Sequence, residues 1–153
     1  MFFDDPSAAF ANLRRAARDD ARLTMIVWRQ AGQNSFMIAA EHAARPFLPQ
    51  LPIASPDEPG QFAFADPDKV RRILAGSWRD IEFKPIDISC ILSEDDLQTY
   101  IMSMGRVGTL LPDLDEKTRA IVCAAHTDAF AQFVVDGTAR FSLACWIVSA
   151  RAG

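Results

Sequence analysis

The chain has 153 residues, half of them apolar and 24% charged, enough to bury one substantial core but too few for two ordinary domains. Its net charge of -4 and pI near 5.1 supply no basic surface for nucleic acid or an anionic membrane. The three cysteines, Cys90, Cys123 and Cys145, lie far apart with no second sulfur or histidine at ligand spacing, so they suggest neither a disulfide framework nor a metal site.

The opening Met1-Phe-Phe-Asp-Asp-Pro6 is acidic, and no apolar run reaches the roughly 18 residues that span a bilayer. A cytoplasmic protein with one domain over 1–153 and no membrane partner is expected. Asp4-Asp5-Pro6 starts a helix, because aspartate accepts free amide hydrogens and proline suits the first turn. Phe10, Leu13 and Ala17 are placed on its inner face, and Arg14, Arg15 and Arg18 near its negative pole. Leu23 to Trp28 is apolar at nearly every position, as in a strand covered on both faces.

Gln33-Asn34 caps a short helix carrying Phe36, Met37 and Ala40. From Pro46 to Gly60, five of the nine prolines punctuate a long loop over 46–60. Asp66-Pro67 repeats the helix start, with Val70, Ile73 and Leu74 inward and Gly76 as the stop. A strand follows from Ile81 to Ile88, and Pro85 assigns it to a sheet edge or a bulge. Ser93-Glu-Asp-Asp96 reads as a capping box, with Leu97, Tyr100, Ile101 and Met104 at helical spacing and Gly105 and Gly108 as terminators. Asp115 caps a longer helix that turns Val122, Ala125, Ala129 and Phe133 inward. The Asp136-Gly137 turn follows it, and Phe141 to Ala150 reads as a central strand.

Four blocks of the sequence resemble a known family. They are Met1-Phe-Phe-Asp-Asp-Pro-Ser-Ala-Ala-Phe-Ala-Asn-Leu-Arg-Arg-Ala, Ile26-Val-Trp-Arg, Phe62-Ala-Phe-Ala-Asp-Pro and Cys145-Trp-Ile-Val-Ser-Ala-Arg. Together they resemble the carboxy-terminal half of the class I S-adenosylmethionine-dependent methyltransferases of ubiquinone and menaquinone biosynthesis and their small-molecule relatives. The resemblance implies an α/β chain with a partial Rossmann-like fold. Leu23–Trp28, Phe141–Ala150 and Ile81–Ile88 would be the fifth, seventh and sixth strands of a mixed sheet flanked by helices, the last strand antiparallel and central. Where relatives carry Pro-Gly-Gly after the first helix, this chain has Arg18-Asp19-Asp20, which should cost about 1 kcal/mol relative to glycine if the turn is left-handed.

A nucleotide-containing cofactor sits over a glycine-rich turn at the ends of the first strands of such a fold. None of the seven glycines forms a G-x-G turn. The expectation is therefore a truncated, acceptor-binding half that is inactive alone and binds no S-adenosylmethionine by itself. A non-catalytic small-ligand-binding or dimerisation module of the same descent is the alternative. The resemblance puts Phe2, Phe3 and Asp4 beside the cofactor, although Asp4 also suits helix capping. It puts Trp28, Asn34, Phe36 and Met37 in the acceptor pocket, while for Phe36 and Met37 plain core packing fits the spacing as well. Phe62 and Phe64 suit either an aromatic lid or an anchor for the long loop. Tyr100 and Met104 lie on a helix that covers the pocket in relatives, yet their spacing is also that of core.

Methyl transfer from a sulfonium is an in-line displacement that needs positioning and water exclusion more than catalytic side chains. His42 and His126 are the only imidazoles, both in helical contexts that suit structural roles, and His42 beside the loop is the better candidate for a general base. The implied partner is a small-molecule acceptor. Without a fourth strand, the edge at Leu23–Trp28 would stand unpaired, so a homodimer or another pairing through that edge is expected.

Overall fold

The computed structural model describes residues 1–52, 55, 58–103 and 105–153. In chain order its elements are α1 (Pro6–Ala16), β1 (Arg22–Trp28), α2 (Ser35–Ala44), α3 (Pro67–Leu74), β2 (Trp78–Ser93), α4 (Glu94–Ser103), α5 (Gly105–Leu110), α6 (Glu116–Ala131), β3 (Val134–Val135) and β4 (Thr138–Ala152). The chain is α/β. Its four-stranded sheet has the order β1-β4-β2, with β3 pairing β4. The last strand is thus internal, as its nearly continuous apolar run suggested. β4 runs antiparallel to β1 in an unbroken register from Arg22↔Arg151 to Trp28↔Cys145.

By its internal packing the chain divides into two compact units, Met1–Gln33 with Ala54–Ile88 and Ala144–Gly153, and Asn34–Ile53 with Ser89–Leu143. In the first unit the two aspartate-proline starts do what their chemistry demands. Asp5 accepts a hydrogen bond from the amide of Ala8 at 2.9 Å and Asp66 one from the amide of Asp68 at 2.9 Å, each with proline in the first turn. α1 and α3 pack together and bury Phe10, Val70 and Leu74 against Val27, Trp78 and Val148. Each such side chain contributes roughly 1.5–3 kcal/mol by leaving water. Trp78 also donates its Nε1–H to the Phe10 carbonyl at 3.0 Å, which satisfies the polar edge of a buried indole.

β1 departs from expectation. Leu23, Met25 and Val27 join the core beneath α1 and α3, whereas Arg22, Thr24 and Ile26 are exposed, Ile26 at 56%. The strand is covered on one face and not on both, because an apolar run satisfies either arrangement and only the helices available decide between them. Leu13 is likewise 48% exposed and not in the core; of the expected inner face of α1, Phe10 is buried and Ala17 half-buried.

β2 begins earlier and ends later than its apolar stretch, and β4 extends past both ends of the run at 141–150. β2 lies at one end of the strand order, where Pro85 can lack its donor. The alternation of half-buried Ile81 and Phe83 slips at the consecutive exposed residues Lys84 and Pro85 before resuming at Ile86 and Ile88, the signature of an extra residue in the pleat. Among the described residues, the non-glycine positions with positive φ are Asp20, Asp80 and Asp136. Aspartate bears the left-handed conformation better than most residues. At φ 61°, Asp20 holds a left-handed turn without glycine.

In the second unit, α2 packs chiefly on α6. The buried stripe of α6 is Val122, His126 and Phe130, four residues apart. The expected Ala125, Ala129 and Phe133 are only half-buried, because the bulkier side chains of the neighbouring stripe take the interior. Asp115 caps α6 through the Thr118 amide at 2.9 Å and the Thr118 hydroxyl at 2.6 Å. These bonds hold its carboxyl below the usual aspartate range.

The capping box also forms. The Asp96 amide donates to Ser93 Oγ at 3.1 Å, and that hydroxyl donates to Asp96 Oδ2 at 2.7 Å. Asparagine 34 precedes α2 but makes no capping bond with its side chain. Gly105, at φ 73°, is the first residue of α5. Gly108, expected as a terminator, is instead buried inside α5, where a Cβ would come within 2.7 Å of the Ser103 carbonyl carbon. Asp136 and Gly137 both have positive φ and join β3 to β4, the two-residue reversal whose twist matches a hairpin.

Met104 and part of the proline-rich loop at 53, 54, 56 and 57 lie outside the described residues. Leu48 and Leu51, earlier in that loop, are buried with Ala44, Val107, Leu111 and Val122. No described helix is long and apolar enough to cross a membrane.

Candidate functional site

The candidate residues fall into both units. In the first, the carboxyl end of β1 carries Trp28 and the following Arg29. Trp28 meets Phe62 edge to face, with ring centroids 6.4 Å apart. Phe62 is half-buried, while Phe64 is 2% exposed and packs on Phe10 at 5.9 Å. The two phenylalanines are two residues apart in an irregular segment; Phe64 anchors that segment to the core and Phe62 keeps some exposed surface.

Arg29 bonds Asp87 at 2.7 Å, with 15% of its own side chain exposed against 63% of the aspartate's. Its guanidinium lies 5.8 Å from the centroid of the Trp146 ring. Trp146 in turn donates Nε1–H to the Ala65 carbonyl at 3.2 Å and meets Phe83 at 6.1 Å. Arg29 thus lies over the Trp146 ring on the face that Val27 shares, and Trp28 with Phe62 forms a separate aromatic contact at the end of β1.

Phe2 and Phe3 are exposed, at 70% and 43%. Phe3 and Asp4 border a cavity of about 170 Å³ with Phe64, Pro59 and Ile73. That is well below the roughly 300 Å³ at which small-molecule sites begin. A larger open groove of about 490 Å³ runs past Arg14, Arg15, Trp78, Arg79 and Gly153. It lies by the amino end of β1, since Arg151 pairs Arg22. Arg14 and Arg79 are also already engaged there by Asp19, and by Asp20 and Asp80.

In the second unit, Phe36 sits among four rings. It stacks on Phe141 with centroids 3.5 Å apart and planes within 5°, and meets Phe130, Phe133 and Tyr100 at 5.0, 5.2 and 5.2 Å. At 2% exposure it is a core residue in this conformation. The half-buried Met37 accepts the Tyr100 hydroxyl at 3.7 Å. Burial pushes the Tyr100 phenol above its ordinary value. Asn34 is fully buried.

His42 is exposed on α2, whereas His126 is fully buried on α6. Neither ring nitrogen of His126 completes a hydrogen bond of ordinary geometry. The backbones of Ala40 and Ile101 lie near enough to favour the charged ring, but desolvation outweighs them and lowers its pKa below the ordinary histidine value. The unbonded geometry and the loss of solvent agree in direction, so a neutral imidazole is the resting form.

Arg29, Asp87 and Trp146 escape the sequence reading as site residues. Trp146 stood in a recognised block as a strand residue, and Asp87 only as a polar position in an alternating strand; nothing in their spacing joins them to Arg29. All three cysteines are free, Cys145 buried and the others half-buried. Among the described residues no group of three or more His, Cys, Asp or Glu side chains could hold a metal ion. No protein-family model matches the chain, and no curated protein matches it either.

Proposed function

We propose that these residues form the acceptor-side half of a cytoplasmic S-adenosylmethionine-dependent methyltransferase acting on a small molecule. The observation that carries this reading is the position of the last strand. β4 lies between β1 and β2 and runs antiparallel to β1, the order implied by the resemblance for the fifth, seventh and sixth strands. The aromatic pair of Trp28 and Phe62 at the carboxyl end of β1 supports it, because an in-line methyl transfer needs the acceptor held flat and dry.

Arg29, fixed by Asp87 and Trp146, is the positioning group for a polar substituent on that acceptor. The adenosyl group is assigned to residues outside these 153, since they contain no G-x-G turn and the cavity beside Phe3 and Asp4 is too small for it. The decisive experiment reads the in-frame coding region adjoining Met1 and expresses the longest product that includes a glycine-rich strand–turn–helix segment. Transfer of labelled methyl from S-adenosylmethionine to phenolic or quinol acceptors, lost in Trp28→Ala, is the expected result. No such segment in frame, together with no labelled product, overturns the reading.

A further inference from the structure

His126 carries an inference that does not rest on the methyltransferase reading. It is fully buried on α6. One turn to either side of it, Val122 belongs to the aliphatic cluster with Leu48 and Val107, and Phe130 to the aromatic one around Phe36. α6 packs against α2 and α4, and each brings one backbone group near the ring, Ala40 from α2 and Ile101 from the last turn of α4. Both favour the charged form, as hydrogen-bond acceptors do, so both are carbonyls. Neither completes a bond of ordinary geometry. A neutral imidazole has one N–H and cannot serve two carbonyls. The imidazolium has two, but it would have to shed its water in an apolar interior.

Among the described residues no charged side chain offsets that cost. Glu41 of α2 lies 3.8 Å from Arg106 of α5 and 4.0 Å from Arg45, and His42 is exposed. On α4, Glu94, Asp95 and Asp96 are exposed, and the Tyr100 hydroxyl donates to Met37. On α6 itself, Glu116, Lys117, Arg119 and Asp128 are exposed and the Cys123 thiol is half-buried. Desolvation and the two carbonyls are what act on the ring.

We propose that His126 is a proton-operated latch on the α2–α6 packing: neutral, it lets the helices close, and protonated, it opens this unit while the unit around α1 and α3 stays folded. The first unit contains no histidine, the side chain that ordinarily titrates between pH 5 and 8. Opening hydrates the charged ring and uncovers Phe36, Ile101 and Phe130, each at most 2% exposed in the closed form. The ring binds its proton more weakly when closed than when open. Closure is therefore favoured above the open-state value of about 6.5. It weakens as the pH falls from there toward the closed value, by at most about tenfold per pH unit.

Amide hydrogen exchange of the 153-residue chain at about pH 7.5 and about pH 5, each rate divided by its intrinsic value, tests the latch peptide by peptide. Between the two, peptides of α2 and α6 should lose protection about tenfold or more, and those of α1 and α3 should keep theirs within about twofold. The loss should vanish in His126→Met and in His126→Gln and persist in His42→Gln, whose side chain is exposed. Methionine keeps the site apolar and glutamine keeps it polar, so either replacement that folds carries the test. A merely structural imidazole would change protection at both pH values alike. That result, a loss of equal size in α1 and α3, no loss in α2 and α6, or a loss that survives replacement of His126 overturns the proposal.

Discussion

The two units solve the problem of buried polarity differently. In the sheet-based unit the buried Trp78 indole donates to the Phe10 carbonyl and the half-buried Trp146 indole to the Ala65 carbonyl. The unit around α2 and α6 instead encloses five aromatic rings and an imidazole whose nitrogens lack ordinary bonds. Satisfied polar groups specify one packing and are silent about ligands. An unsatisfied one lowers stability and asks for an explanation. The contrast sets bonded indoles in the first unit against an unbonded imidazole in the second.

The sharpest way to break that contrast is Phe36→Ala. Removing the ring at the centre of the cluster should cost about 3–5 kcal/mol in denaturant unfolding. A loss under about 1 kcal/mol would mean that Phe36 is a pocket wall and not core.

Next comes His126→Met, which keeps the volume and removes the unbonded nitrogens. It should raise stability by about 1–3 kcal/mol, the range for a buried unsatisfied group. The folded pKa of His126 lies below its unfolded value of about 6.5. Stability is therefore full above that pH and is lost as the pH falls through 6.5 toward the folded value, because the unfolded state binds the proton first. The variant should flatten this acid limb in a pH series of thermal melts. An unchanged limb would show that the imidazole is not its source.

In the first unit, Trp78→Phe leaves the Phe10 carbonyl without its donor and should cost about 1–2 kcal/mol. A neutral result would show that this bond does not stabilise the unit. The smallest effect belongs to Asp115, whose carboxyl is held below its usual range by Thr118. Its contribution is present above the unfolded value of about 3.8 and is lost as the pH falls through the lower folded one. Asp115→Asn should remove this slope below pH 4 with little change at neutral pH, read by circular dichroism.

Much of the local structure was legible because it depends on neighbours in sequence. Asp5-Pro6, Asp66-Pro67, Ser93 with Asp96, Asp115 and Asp136-Gly137 each act within four residues, and each forms as its chemistry implies. Ile26 and Leu13 were misread because periodicity names an apolar face without saying whether anything covers it. Gly108 was misread for a related reason, since a glycine that ends a helix and one that admits a neighbouring backbone look alike in sequence. The candidate site was legible only in its β1 half. Trp28 ends a recognisable strand, but Arg29, Asp87 and Trp146 meet across 58 residues or more of sequence.

The residues by themselves determined where helices start and where the hairpin turns, and pointed to an internal final strand, because caps and positive-φ turns are local physical constraints and a nearly continuous apolar run favours coverage. Only the tertiary structure decided that β1 is covered on one side and that His126 is enclosed while His42 is exposed. Burial and pairing belong to the packed chain, and no single segment carries them.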